Sequence, residues 1–464
     1  MNLPLIPSPK QISSTGSRVS LLPAISFEST QFSRCADTFC AYAKKAWDLD
    51  FHIAPGGIAI IEDSSLQPGA YKLICNENTI SLYAADAEGA AYGLSTILQL
   101  LRGDSTLPEV TITDYPDCEY RSLMVDLARQ WHPFETLFHY VDICWLYKIK
   151  YLHLHFEDNQ SYTLCSDVFS KLPTQGRSYT KEQIAQLNDY AASRNVELIP
   201  EVEFPGHGTQ KKLKYPELFG NTPITPDAPI EDSLFCVGKP GVMENIRLIL
   251  QEVIELFPNS RYIHIGGDEA ALEGWNYCTD CLNYMKENNI PDVYALYTHF
   301  TKKITDLVLE LGRTPIVWEG FPKENIEELS RDVLVMGWES YYHLANELVD
   351  EGFTVINASW QPLYITPERR WQVADILNWN VGNWQNWNPK SPAYHEPIQL
   401  PLTSQVKGAM LGAWEWNYTE EFPFVKENLA ALSQRTWETR NYVNQKAFME
   451  YLPDIISIAD KILH

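Results

Sequence analysis

Two carboxylates stand side by side in the run Tyr262-Ile263-His264-Ile265-Gly266-Gly267-Asp268-Glu269-Ala270. The two glycines before them allow a sharp turn of the backbone. Adjacent acids repel each other, so something in the fold must hold them there. A bare Asp-Glu pair is more often a solvated acidic loop than a site. Its position directly after a short apolar run marks it as a candidate for acid–base and electrostatic chemistry. Other apolar runs also end in polar groups: Tyr120-Arg121 opens a run that closes on Asp126 and Arg129, and His153-Leu154-His155-Phe156 leads into Glu157-Asp158. A third carries Glu201, Glu203 and His207, and three more end in Trp318-Glu319, Trp338-Glu339 and Trp414-Glu415-Trp416. Any single Trp is more often core than ligand wall, but three at three strand ends would build an aromatic box suited to the apolar face of a sugar.

These groups converge only if the runs carrying them are parallel strands of one barrel. Eight short β-rich runs, at 122–128, 151–156, 197–204, 262–267, 314–319, 333–338, 353–360 and 408–414, alternate with amphipathic stretches such as 135–149, 180–194, 241–257 and 293–312. Eight such units in about 300 residues predict a (β/α)8 barrel, whose active site lies at the C-terminal ends of the strands. An open doubly wound sheet is disfavoured because no Gly-rich phosphate turn follows the first strand. The N-terminal part reads differently. Tyr71–Cys75 and Thr79–Tyr83 alternate around Asn76-Glu77-Asn78 as a hairpin, and 87–101 has helical spacing that stops at Arg102-Gly103. The expected organisation is therefore a small α+β domain over residues 1–116, then the barrel with C-terminal helices over 117–464. The long loop containing Trp379, Trp384 and Trp387 is expected to cover the pocket or to meet a partner subunit.

Composition narrows the function. The 464-residue chain has a formal net charge of −24, which disfavours nucleic acid and anionic membranes as partners. Its 14 Trp and 25 Tyr suit a carbohydrate ligand equally with a large core. The N-terminus has no signal-peptide pattern and no apolar run reaches membrane-span length, so a cytoplasmic location is the expectation. Nine cysteines are scattered along the chain. Cys278 and Cys281 form a lone Cys-x-x-Cys; a structural zinc site would need a second pair, and none lies nearby in sequence. A metal or redox role for that Cys-x-x-Cys pair is disfavoured, and the remaining cysteines are read as buried small residues in a reducing compartment, with no metal and no cofactor expected.

Arg121 with Met124-Val125-Asp126, the run Leu152 to Asp158, the segment Pro200-Glu201-Val202-Glu203-Phe204-Pro205-Gly206-His207 and above all His264 to Glu269 resemble glycoside hydrolase family 20. The likeness extends to Leu5-Ile6-Pro7-Ser8-Pro9-Lys10 and to Ala90 through Leu101, which resemble that family's N-terminal domain. The resemblance implies a retaining β-N-acetylhexosaminidase acting on N-acetylhexosaminide-terminated glycans, in which the substrate's own acetamido group is the nucleophile. It makes Glu269 the general acid and Asp268 the acceptor of the acetamido N–H. It makes Tyr364 the donor to the acetamido oxygen and Arg121 the clamp on ring hydroxyls. Trp318, Trp338 and Trp414 become the walls of the sugar pocket, and Asp158 with His207 the pair supporting the general acid.

Two positions depart from the family pattern. Tyr364-Ile365-Thr366 stands where Tyr-Leu-Asp is usual, and Trp414-Glu415-Trp416 where Trp-x-Glu is usual. The missing carboxylates normally bind the outer hydroxyls, so relaxed or altered recognition at O4 is expected. Glu415 is a substitute only if it overcomes its start on the opposite face of the strand. Two rival readings are a metal-dependent hydrolase using His153, His155, His207, His264 and Asp268, and a non-catalytic sugar-binding homologue.

Overall fold

The structure is a computed structural model that describes residues 3–323, 325–440 and 444–464. The N-terminal part is a seven-stranded sheet of β1 (Gln11–Ser20), β2 (Ala24–Phe27), β3 (His52–Ile53), β4 (Ile58–Glu62), β5 (Tyr71–Asn76), β6 (Thr79–Ala84) and β7 (Thr106–Asp114), in the order β1-β7-β5-β6-β4-β2-β3. β5 and β6 are the expected hairpin, pairing Asn76 with Thr79 across its tight turn. The helix Ala87–Leu100 is capped by Asp86, whose Oδ1 accepts from Gly89 N at 2.8 Å, and Gly103 sits beyond it at φ +78°. That helix is buried almost all round because it packs on the sheet with one face and on the helix Phe134–Leu146 with another.

From Tyr120 the chain builds a closed parallel barrel: β8 (Tyr120–Asp126), β9 (Tyr151–His155), β10 (Glu197–Glu201), β11 (Tyr262–His264), β12 (Thr314–Trp318), β13 (Leu334–Gly337), β14 (Thr354–Asn357) and, after the short β15 (Tyr364–Ile365), β16 (Asn383–Trp384) and β17 (Ile398–Gln399), the closing strand β18 (Val406–Ala413). β18 pairs with both β8 and β14, which removes every edge. All eight expected runs are strands of this (β/α)8 barrel.

The barrel is filled, not hollow. Tyr120 and Tyr151 stack with ring centres 4.8 Å apart near the N-terminal end, and Met124, Ile199, Ile316, Met336, Ile356 and Met410 fill the layers above. The last two helices divide their work. Tyr418–Trp437 packs on β18 and β8 as the eighth barrel helix, while Gln445–Leu463 packs on Phe134–Leu146 and on the N-terminal helix Ser33–Trp47. No helix among the described residues is long and apolar enough to cross a membrane.

Candidate active site

β11 ends at His264 and the chain then bends through three left-handed residues: Gly266 (φ +66°), Gly267 (φ +101°) and Glu269 (φ +48°). Gly266 is required for space as well as angle, because a Cβ there would lie 1.8 Å from Oε2 of Glu203. The hydroxyl of Tyr297 donates to the carbonyl of Gly267 and fixes the turn from the outside. The turn leaves the Asp268 side chain 14% exposed and Glu269 54% exposed. Burial pushes the Asp268 carboxyl up to about 6, helped by the charges of Glu269 and Glu201 and opposed by His207. Its Oδ1 has no hydrogen-bond partner among the described residues.

A chain of alternating charges supports this pair. Arg129 Nη2 is 2.7 Å from Asp158 Oδ2, Asp158 Oδ1 is 3.2 Å from His207 Nδ1, and His207 Nε2 is 3.5 Å from Glu269 Oε2 and 3.8 Å from Asp268 Oδ2. Burial would lower the His207 imidazole, but the Asp158 hydrogen bond and the charges of Asp268 and Asp158 outweigh it and raise it to about 9. Asp158, despite its burial, is held well below the carboxylate range by His155, His207 and Arg129.

Beneath lies a polar floor centred on Glu201. Its carboxylate is 3.0 Å from His153 Nε2, 2.7 Å from His155 Nδ1 and 2.9 Å from His264 Nδ1, and it accepts from Trp318 Nε1 at 2.5 Å. The imidazoles of the His-x-His motif thus face Glu201. Asp268 is not in that cluster, and His207 belongs to the relay above it, so the five residues of the metal-hydrolase reading do not converge on one point.

The pocket itself has a volume of about 210 Å³. Trp338 and Tyr364 stand nearly parallel, 13° apart with ring centres at 6.3 Å, and Trp414 closes the far side 5.7 Å from Tyr364. Arg129 lies over the Trp414 ring at 5.0 Å. Trp360 and Trp387 add a stacked pair with ring centres 5.0 Å apart, and Arg369 covers Trp387 at 4.1 Å. Thr366, Glu368 and Glu415 complete the rim.

Of the expected site residues, Asp268, Glu269, Tyr364, Trp338, Trp414 and Glu415 line this one pocket, with Asp158 and His207 directly behind the acids. Two are displaced. Arg121 sits at the start of β8, the wrong end of the barrel. It is fully buried, donates to the carbonyls of Lys148 (3.1 Å) and Cys118 (2.6 Å) and to the hydroxyl of Tyr92, and cannot clamp a sugar at the other end. Arg129, three residues past the C-terminal end of the same strand, lines the pocket. Trp318 is also no wall: it lies 1% exposed beneath Trp338 and Trp414.

Glu415 reaches the rim through a left-handed residue. Its φ is +63°, and its N–H donates to Asp126 Oδ2 at 3.2 Å, which turns the chain just past β18 and overrides strand alternation. Within the long Trp loop, Trp379 and Trp384 are core and only Trp387 faces the pocket. Trp360, Glu368 and Arg369 were not foreseen; no motif marks them. Glu319 turns from the mouth and caps the N–H groups of Ser340 (2.9 Å) and Tyr341 (2.7 Å), holding the loop after β13. Cys236, 42 residues before Cys278, lies against Cys278 and Cys281, with Sγ–Sγ distances of 3.5 and 3.6 Å, and all three are buried.

Known proteins resemble this chain in sequence and in fold. A β-hexosaminidase of Vibrio furnissii is 27% identical over 455 residues, 89% of this chain and 72% of the relative. One from Porphyromonas gingivalis is 29% identical over 335 residues, 65% of this chain but 42% of that longer protein. A solved family 20 exo-β-N-acetylglucosaminidase from Vibrio harveyi, in complex with N-acetylglucosamine, superposes with a TM-score of 0.85 at 21% identity, covering 99% of this chain and 77% of that one, and so shares the fold. The sequence profile of glycosyl hydrolase family 20, domain 2, matches residues 2–115, and that of the catalytic domain of the same family matches residues 118–439. The chain therefore belongs to glycosyl hydrolase family 20.

Proposed function

We propose that the chain is a retaining exo-β-N-acetylhexosaminidase that works by substrate-assisted catalysis on N-acetylhexosaminide-terminated glycans. One observation carries the reading. Asp268 and Glu269 share a single left-handed turn that opens on an aromatic pocket with Tyr364 in its wall. A cavity of about 210 Å³ suits one terminal sugar, in keeping with exo action.

In this reading the sugar stacks among Trp338, Trp360 and Trp414. Asp268 accepts the acetamido N–H, and Tyr364 donates to the acetamido oxygen. That oxygen attacks the anomeric carbon as the glycosidic C–O bond breaks, and the leaving oxygen takes the proton of Glu269. The oxazolinium so formed is positive, and ionised Asp268 stabilises it. Water then attacks the anomeric carbon from the side the leaving group vacated and returns a proton to Glu269. Two displacements at one carbon give net retention. Arg129 and Glu415 are the groups placed to read ring hydroxyls, with Glu368 and Arg369 on the rim.

The test is hydrolysis of three aryl β-glycosides side by side: the N-acetylglucosaminide, the N-acetylgalactosaminide and the plain glucoside. Turnover of either acetamido sugar without the glucoside is expected. Comparable turnover of the glucoside would rule out the acetamido nucleophile.

A further inference from the structure

Away from the pocket, three cysteine sulfurs meet in the interior. Cys278 Sγ is 3.5 Å from Cys236 Sγ, and Cys236 Sγ is 3.6 Å from Cys281 Sγ. All three residues are buried. A disulfide needs about 2.05 Å between sulfurs, so this spacing is not a bonded pair. Three thiolates on a tetrahedral zinc, each at about 2.3 Å, lie about 3.8 Å apart along the edges of the tetrahedron. The observed separations are within a few tenths of an ångström of that.

Two loops carry the sulfurs, one through Cys236 and the other through Cys278 and Cys281. The two loops are pressed together: a Cβ on Gly238 would lie 2.4 Å from the carbonyl oxygen of Asp280 and 2.7 Å from Cα of Cys281. Thr279 N donates to Thr222 O at 2.7 Å and Trp275 Nε1 to Phe235 O at 3.0 Å, so the sulfurs are held from both sides.

We propose that Cys236, Cys278 and Cys281 form a zinc site, with a solvent molecule at the fourth position. Binding releases three thiol protons to solvent and leaves a site of net charge −1. Soft sulfur donors in a tetrahedral set select zinc over magnesium, calcium or manganese. The metal staples the loop after β10 to the segment after Glu269, where the helix Thr279–Glu287 begins. It takes no part in the hydrolysis proposed above and is tested without reference to activity.

The experiment is metal analysis of the whole chain purified with a reducing agent and without chelator. About one equivalent of zinc is expected, surviving dialysis, and falling more than about tenfold in Cys236→Ser and Cys281→Ser but not in Cys75→Ser, a buried cysteine of the N-terminal sheet. If the two site variants fail to fold, cobalt(II) exchange into the unaltered chain decides. A strong near-ultraviolet sulfur-to-cobalt band with visible bands of tetrahedral cobalt supports the site. Absence of both zinc and the cobalt spectrum overturns it, as does an intact mass showing a disulfide among the three cysteines.

Discussion

Nε2 of His207 lies 3.5 Å from Oε2 of Glu269, while Nδ1 of the same ring lies 3.2 Å from Asp158. The imidazole, raised to about 9, therefore bridges the buried Asp158 carboxylate to Asp268 and Glu269. A histidine raised in the folded state stabilises the fold fully below its ordinary value of about 6.5, and that contribution is lost as pH rises through about 9. His207→Gln removes the contribution at every pH. The unfolding midpoint of the unaltered protein should fall towards that of the variant between pH about 7 and about 9, closing a gap of at least about 2 °C. A gap independent of pH would show that His207 is not charged in the fold.

Glu269 is exposed at the mouth, where a leaving group would depart. Glu269→Gln should slow hydrolysis of a substrate with a poor leaving group by about 10²–10⁴-fold. An activated aryl glycoside, which needs little protonation, should lose much less. Equal losses on both would remove Glu269 from the acid role.

In the proposed mechanism Asp268 is ionised when it holds the acetamido N–H and the developing positive charge. Its carboxyl is pushed up to about 6, so kcat/KM should fall as pH drops through that value. Asp268→Asn should cost about 2–4 kcal/mol in transition-state stabilisation and abolish this acid limb. A limb that persists in the variant belongs to another group.

Glu415 and Arg129 share the rim, with Oε1 and Nε 3.9 Å apart. A charged hydrogen bond to a sugar hydroxyl is worth about 1.5–3 kcal/mol, so Glu415→Ala should lower kcat/KM about 10–100-fold for the C4 epimer whose hydroxyl it meets. The other epimer should change little. Equal effects on both epimers would mean that Glu415 does not read O4.

The arginines at the two ends of β8, Arg121 at its start and Arg129 past its end, should separate cleanly. Arg129→Met should raise KM about tenfold or more by removing a charged contact at the pocket. Arg121→Met should leave KM unchanged and lower stability by about 3 kcal/mol, because it strands the buried carbonyls of Lys148 and Cys118. A KM effect from Arg121 would contradict its place at the far end of the barrel.

Much of this was legible in one dimension. The alternation of short β-rich runs with amphipathic helices is local, and it determined the barrel, since eight parallel strands with right-handed crossovers have few other ways to bury both faces. The same rule determined that Asp268, Glu269, Trp338 and Trp414 face one mouth, because each lies just past the C-terminal end of a strand. The tertiary structure decided what lies beyond a strand's ends or depends on distant chain. Arg121 came from the family resemblance although it opens its run; strand direction puts it at the N-terminal end of β8 and Arg129 past the C-terminal end, at the pocket. Period-two alternation stops where φ changes sign: the left-handed Glu415, pulled round by Asp126, reaches a rim that strand geometry denied it. Depth escaped the sequence too, for Trp318 and Trp338 end neighbouring strands, yet only one rises to the pocket. Cys236 meets Cys278 and Cys281 across 42 and 45 residues because two loops close on a glycine, and no local spacing carries that information.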